Sequence, residues 1–210
     1  MKLSLSILNC NLAKLNEELE PIYDDLDYLH MDVMDGNFVP NISFGADLIK
    51  SLRPYTNLPF DTHLMINNPM QYIESFVKAG SNYVTFHYEA VEDPNEVIDY
   101  IHSLGAKAGI SIKPKTSVEV LKPYLDKLDL ILIMSVEPGF GGQKFMDSAV
   151  DKLSYLAALR PNYHYLVSVD GGINDKTIAK VAPYTDLVVS GSYITKAEDK
   201  KSTIEVIHKA

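Results

Sequence analysis

Along the chain, short runs of β-branched and apolar residues alternate with longer stretches in which apolar positions recur every three or four residues. Runs of the first kind fit buried strands, and those of the second fit amphipathic helices packed on them. Strands are expected at 3–8, 28–34, 60–65, 83–87, 107–112, 130–134, 165–169 and 187–190, and helices at 12–26, 46–52, 70–79, 95–104, 117–125, 148–159, 175–182 and 201–208. The punctuation agrees. Asn68-Pro69 and Asp93-Pro94 open helices, and Gly80 and Gly105 close them. Eight strand–helix units, with no linker, low-complexity tract or composition break, predict one domain over residues 1–210 and a closed (β/α)8 barrel. A doubly wound open sheet is the structural alternative left by the element count.

Within the strands, the polar positions carry the next signal. In Tyr28-Leu29-His30-Met31-Asp32-Val33-Met34-Asp35-Gly36, alternation puts His30, Asp32 and Met34 on one face and Leu29, Met31 and Val33 on the other. The apolar face belongs against the helix layer, so the polar face points into the barrel. The third strand repeats the pattern with Asp61, His63 and Met65, and the seventh ends at Asp170. Buried imidazoles and carboxylates are costly unless paired or bound to a cation. Barrel enzymes place reactive groups at strand C-terminal ends, where His30, Asp32, His63 and Asp170 could converge. Two imidazoles with two carboxylates suit one divalent metal ion such as Zn²⁺, Fe²⁺, Mn²⁺ or Co²⁺, and are too rich in nitrogen for a typical Ca²⁺ or Mg²⁺ site. The competing interpretation is a hydrogen-bonded polar cluster without metal. His87, at the end of the fourth strand, is placed as a partner to this group, and His102, His164 and His208 are expected on the surface.

Glycine-rich turns supply a second signal. Pro138-Gly139-Phe140-Gly141-Gly142-Gln143-Lys144-Phe145 follows the sixth strand, Gly171-Gly172 the seventh and Gly191-Ser192 the eighth. Backbone N–H groups at such turns bind phosphate without a basic side chain, and phosphate sites after strands seven and eight recur in barrels. Charge makes this informative. With a net charge of −9 and a pI of about 5.1, the chain offers no general attraction to nucleic acid or an acidic membrane. An anionic substrate must therefore be held locally, by oriented dipoles. Met34, Met65 and Met134 sit at strand ends beside the polar group. They serve either as core filler or as a soft cap over a planar intermediate. There is no phosphate-binding Walker loop, no dinucleotide fingerprint after a strand, and no Ser-His-Asp arrangement.

Composition adds little. The 46% hydrophobic and 22% charged residues are those of a globular protein. Cys10 is the only cysteine, so no intrachain disulfide forms, which fits a reducing, cytoplasmic setting. The apolar stretch at 3–8 is short and broken by two serines, so it is not expected to act as a signal peptide.

At these residues the sequence resembles the ribulose-5-phosphate 3-epimerase family. The matching runs are Ser6-Ile7-Leu8, His30 to Gly36, Phe38-Val39-Pro40-Asn41, His63-Leu64-Met65, Met134 to Gln143, Val169-Asp170-Gly171-Gly172 and Ser190-Gly191-Ser192. They span nearly the whole chain in order. The resemblance implies a (β/α)8 barrel that binds one divalent metal through His30, Asp32, His63 and Asp170, with Asp32 and Asp170 as the acid/base pair. It further implies that Ser6 and His63 contact substrate. Gly139, Phe140, Gly141, Gly142, Gly171, Gly172, Gly191 and Ser192 would hold a sugar phosphate, and Met34, Met65 and Met134 would surround an enediolate. Partners implied are a small sugar phosphate and further copies of the same chain, with no nucleic acid or membrane. The sequence departs from the family at Cys10-Asn11-Leu12, Asn37, Ser168 and Tyr193, none of them an implied metal ligand. Alternatives kept open are an allulose-6-phosphate 3-epimerase, a non-catalytic sugar-phosphate binder, and a metal-dependent aldolase or decarboxylase on the same barrel.

Overall fold

The computed structural model describes residues 1–210. Eight parallel strands close into a barrel in simple sequence order. They are β1 (Lys2–Ser6), β2 (Tyr28–Met34), β3 (Phe60–Met65), β4 (Tyr83–His87), β5 (Lys107–Ile112), β6 (Leu130–Met134), β7 (Leu166–Asp170) and β8 (Leu187–Ser190). Closure is made by β1 on β8, where Leu3 pairs with Val188 and Leu5 with Ser190. The open-sheet alternative is thereby excluded. The α-helices are α1 (Leu15–Leu19), α2 (Ala46–Leu52), α3 (Ile73–Lys78), α4 (Pro94–Ser103), α5 (Ser148–Leu159), α6 (Ile178–Val181), α7 (Ser192–Thr195) and α8 (Lys200–His208).

The alternation in β2 behaves as expected. Leu29, Met31 and Val33 join a cluster of 46 buried residues between barrel and helices. Tyr28, Tyr83, Leu130, Leu132, Met134, Val136, Leu187 and Val189 form a second cluster, and the barrel also buries a polar set. Ser4, His30, Asp61, His63, Thr85, Ser111 and Ser168 are all 0% exposed. Burying one Leu or Ile contributes about 1.5–3 kcal/mol, whereas each unpaired buried polar group costs a comparable amount. The outer apolar layer is thus what sustains the polar interior.

Several helical segments differ from expectation, for local reasons. The 12–26 stretch is broken into a 3₁₀ turn (Leu12–Lys14), α1, and a second 3₁₀ segment (Glu20–Asp25) that contains Pro21. Proline lacks the N–H that would continue the α-helical ladder. The 117–125 stretch is a 3₁₀ helix (Val118–Tyr124) with Pro123 inside it. At 175–182 only α6 is α-helical. There the Asn174 side chain accepts from Lys176 N and Thr177 N, which holds the entry in a turn. Asn68-Pro69 opens a 3₁₀ turn before α3, whereas Asp93 caps α4 directly, accepting from Asn95 N at 2.9 Å. β1 ends at Ser6, and Leu8 and Asn9 form part of the barrel mouth. No helix is long and apolar enough to cross a membrane.

Candidate active site

The strand register assembles the site. Ser6 pairs with His30, Asp32 with His63, Met34 with Met65, and Met134 with Asp170. These are inward positions, so the four groups singled out on β2, β3 and β7 meet. One ligand atom from each of His30, Asp32, His63 and Asp170 lies within 4.8 Å of all the others. His30 Nε2 is 3.4 Å from Asp32 Oδ1 and 3.9 Å from Asp170 Oδ2. His63 Nδ1 is 3.6 Å from Asp32 Oδ1 and 3.8 Å from Asp170 Oδ2. Ser6 Oγ donates to Asp32 Oδ2 at 2.6 Å.

Each imidazole is held from behind. His30 Nδ1 sits 2.7 Å from Asp61 Oδ2, a carboxylate with no exposed surface. His63 Nε2 lies 2.9 Å from His87 Nε2, and His87 Nδ1 lies 3.3 Å from Glu89 Oε2. The nitrogens left over, His30 Nε2 and His63 Nδ1, are buried without any hydrogen-bond partner, and both face the shared point. Two orphaned imidazole nitrogens and two carboxylates aimed at one point form a donor set that fits a divalent transition metal ion. His30 and His63, Asp32 and Asp170 are thus the residues that could hold such an ion.

The two carboxyls differ. Burial, and then the nearby charge of Asp32, push Asp170 up to about 7. Burial also disfavours the Asp32 anion, but His30 and His63 outweigh it and hold that carboxyl well below the usual range. For His30, burial opposes the cation, yet Asp32 and Asp61 overcome it and raise its pKa. For His63, burial and then the neighbouring His30 lower it despite Asp32. Burial keeps His87 neutral, with a pKa of about 4. Glu89 is lowered to about 2, because its hydrogen bonds from His87, Thr116 and Lys113 N–H outweigh its partial burial.

Above this cluster opens a cavity of about 360 Å³. It is lined by Ser6, Asp32, Asp170, the methionines Met34, Met65 and Met134, and the three glycine turns: Gly139 to Gly142 with Phe140, Gly171-Gly172, and Gly191-Ser192. His30 and His63 are fully buried and do not line it, so the expected His63 contact with substrate lacks direct exposure to the cavity. The backbone N–H groups of Gly142, Gly172, Gly191 and Ser192 donate to nothing within the protein. Gly172 is required by geometry. Its φ is +66°, and a Cβ there would sit 2.6 Å from the Phe145 backbone nitrogen. The loop after β6 is braced, with Asn41 Nδ2 donating to Gly139 O at 2.8 Å and Gln143 Nε2 donating to Phe140 O at 2.9 Å.

Among the lining residues outside the sequence motifs, two stand out. Asn9 leaves the end of β1 and packs against Gly141, and Lys196, just after α7, makes no ion pair. Neither belongs to a spacing pattern, so no sequence signal marked them. Of the other histidines, His164 is exposed and His102 pairs with Asp129 at 2.8 Å on the surface. His208 is only partly exposed. Its two ring nitrogens lie 2.9 Å from Met1 O and 3.0 Å from Asp25 O, tying the last helix to the chain start.

A closed parallel barrel with titratable groups and glycine turns gathered at its strand C-termini defines a (β/α)8-barrel enzyme. A model of the ribulose-phosphate 3 epimerase family matches residues 2–195. The chain belongs to that family, whose members are isomerases acting on carbohydrate phosphates. It is similar to the ribulose-phosphate 3-epimerase of Bacillus subtilis, with 39% identity over 212 residues, covering 99% of this chain and 98% of that protein. The Mycobacterium bovis enzyme of the same name is 42% identical over 210 residues, covering 97% and 90%. The chloroplastic ribulose-5-phosphate-3-epimerase of Arabidopsis thaliana is 41% identical over 210 residues, covering 97% and 75%. Among solved structures, 3-hexulose-6-phosphate synthase from Salmonella typhimurium superposes with a TM-score of 0.75 at 21% identity, covering 100% of this chain and 97% of that one. 3-Keto-L-gulonate-6-phosphate decarboxylase from Vibrio cholerae superposes with a TM-score of 0.76 at 16% identity, covering 100% and 95%. At that identity they share the barrel and carry no argument about chemistry.

Proposed function

We propose that the chain interconverts D-ribulose 5-phosphate and D-xylulose 5-phosphate by inverting C3, with Asp32 and Asp170 moving the proton. One divalent ion would be held by His30, Asp32, His63 and Asp170. The observation that carries this proposal is the convergence of two unlike carboxyls beneath a phosphate-sized cradle, in a chain about 40% identical to enzymes of that name.

Inversion next to a ketone removes a proton from one face of a carbon and returns one to the other. A single base would return the proton to the face it came from, so two groups from different strands are needed. Asp32, held low, is a carboxylate ready to accept, and Ser6 fixes its far oxygen. In metal-free protein, burial and the neighbouring Asp32 charge raise Asp170 to about 7, so it holds a proton more tightly than Asp32 does. Opposed protonation states are what an acid/base pair requires, and the two roles exchange in the reverse direction. Each positioned acid or base typically contributes about 10²–10⁴-fold. When bound, the metal ion supplies electrostatic stabilisation for negative charge developing on substrate oxygen. Met34, Met65 and Met134 wall the reacting carbon with polarisable, apolar surface and exclude water from a planar enediolate. The N–H groups of Gly142, Gly172, Gly191 and Ser192 suit the phosphate. The Gly139–Lys144 loop could close over the bound sugar.

A reducing, cytoplasmic setting suits Cys10, the only cysteine, whose burial pushes its thiol up to about 12. Self-association is part of the same proposal. Ile42, 75% exposed near the mouth, and Phe140, 53% exposed, offer apolar surface for it.

A coupled assay on D-ribulose 5-phosphate, run with and without a chelator, tests the proposal. Turnover that is lost on chelation and restored by Zn²⁺, Fe²⁺, Mn²⁺ or Co²⁺ is the expected result. Faster turnover of D-allulose 6-phosphate would move the assignment to the hexose sugar. No turnover of either sugar, with sugar phosphate still bound, would indicate a binder. A smaller product by mass spectrometry would indicate an aldolase or decarboxylase.

A further inference from the structure

The two imidazoles of the cluster are backed in different ways. His30 meets a carboxylate directly, at Asp61. His63 meets a second imidazole, His87, and only beyond it a carboxylate, Glu89, in the 3₁₀ turn Tyr88–Ala90 that follows β4. We propose that Glu89 is a positioning residue which sets, through His87, the nitrogen that His63 presents to the cluster. The inference rests on the metal reading above for its affinity arm.

Hydrogen-bond polarity runs one way along this chain. The Lys113 backbone N–H can only donate, and it donates to Glu89 Oε1 at 2.8 Å. The Thr116 hydroxyl donates to the same oxygen. Glu89 is thereby held as a carboxylate, and its Oε2 can only accept. His87 Nδ1, 3.3 Å away, must then carry the proton. A neutral imidazole has one N–H, so His87 Nε2 is an acceptor. Facing it at 2.9 Å, His63 Nε2 must donate. That leaves His63 Nδ1 bare, and this atom faces Asp32 and Asp170 with no hydrogen-bond partner. A metal ligand needs such a lone pair, and the partner of the other ring nitrogen decides which nitrogen has it.

The opposite arrangement puts an N–H on His63 Nδ1, aimed at Asp32 Oδ1 at 3.6 Å. It would leave the His87 Nδ1 lone pair facing the Glu89 carboxylate at 3.3 Å, which is repulsive. Glu89 therefore works against the pull that Asp32 and Asp170 exert on the same proton. Its side chain is 22% exposed, so the relay connects the barrel rim with a fully buried ligand.

Glu89→Gln tests this. An amide must turn its oxygen toward Lys113 N–H and Thr116 and its NH2 toward His87, which reverses every donor as far as His63. In metal-free protein, long-range ¹H–¹⁵N spectra should show His87 protonated on Nδ1 and His63 on Nε2 in the wild type, and the reverse in the variant. Zn²⁺ affinity, measured by competition with a chromophoric chelator, should fall by about 10–100-fold. Thr116→Val serves as control. It removes a brace on the loop but leaves the carboxylate, and should keep wild-type tautomers and affinity. The proposal is overturned if Glu89→Gln retains both, or if Thr116→Val reproduces its loss. If wild-type protein binds no Zn²⁺, the metal reading fails while the tautomer spectra still decide the role of Glu89.

Discussion

Asp170→Asn keeps the side chain's size and removes its charge. The native carboxylate makes no short hydrogen bond inside the protein, and the nearest imidazole nitrogens lie at 3.8 and 3.9 Å. The exchange therefore breaks little structure. On the proposed two-carboxylate mechanism it also removes one of the two groups that move the proton, which should cost about 10²–10⁴-fold in kcat, or roughly 3–5 kcal/mol of transition-state stabilisation. Stability should change in the opposite direction. In metal-free protein the folded pKa of Asp170 is about 7 against an ordinary 3.8, so the unfolded chain gives up this proton more readily. Stability is unpenalised below the lower value, falls as pH rises through the interval, and is level above it. At about 1.36 kcal/mol per pH unit the full penalty is about 4 kcal/mol. The amide that replaces the carboxyl does not titrate and escapes it. Urea unfolding in chelator should show the variant more stable at about pH 8, with the gap closing toward about pH 4. Turnover within about threefold of wild type would refute the two-carboxylate mechanism, and a variant less stable at about pH 8 would refute the electrostatic account of Asp170.

Other consequences can be checked separately. Gly172→Ala and Gly105→Ala both place a side chain at positive φ, but only Gly172 also meets backbone, at Phe145 N. Gly105→Ala should cost about 1–2 kcal/mol by denaturant unfolding, and Gly172→Ala measurably more, together with a raised KM. Lys196→Ala removes an exposed cation from the cavity rim and should raise KM about two- to fivefold with kcat unchanged. With a net charge of −9, the chain repels a phosphorylated substrate at long range, so kcat/KM should hold or rise as added salt shortens the screening length from about 30 to about 8 Å. A marked fall would mean that side-chain charge, not backbone dipoles, draws the substrate in.

Where the sequence was informative, a physical period carried the information. The two-residue repeat in β2 and β3 exposed His30, Asp32, His63 and Asp61 as inward groups, because one residue of slip would have put Leu29 and Met31 into a polar interior. Register across strands is a different matter. That Ser6 lies beside His30 and Met134 beside Asp170 follows from barrel closure, and no local pattern encodes it. Asp61 was visible as a same-face residue, but its role needed the 2.7 Å contact to His30. Glu89 was invisible, since it lies in a short 3₁₀ turn outside any pattern and its proposed role runs through His87 at the end of β4. The apolar spacing at 117–125 was real, with Leu121 buried, yet Pro123 turned the segment into a 3₁₀ helix. Lys196 falls outside every motif, and only the placement of α7 brings it to the rim.

The two halves of the cavity are built from different materials, and this difference explains how an acidic chain can handle an anion. At the deep end, charge must be concentrated. Asp32, Asp61 and Asp170 sit there, and His30 and His63, with the proposed divalent ion when bound, would balance them. At the outer end, added side-chain charge would compete with the deep end for the same ion or proton. Backbone N–H groups at Gly142, Gly172, Gly191 and Ser192 avoid that conflict, because they carry a dipole but no net charge and are fixed by the turns that hold them. Asp170 belongs to both halves, since the turn that begins at Gly171 leaves directly from it. A shift of that turn would move the proposed acid/base carboxyl together with the proposed phosphate contact, so on this mechanism phosphate binding and proton transfer should fail together when it is distorted.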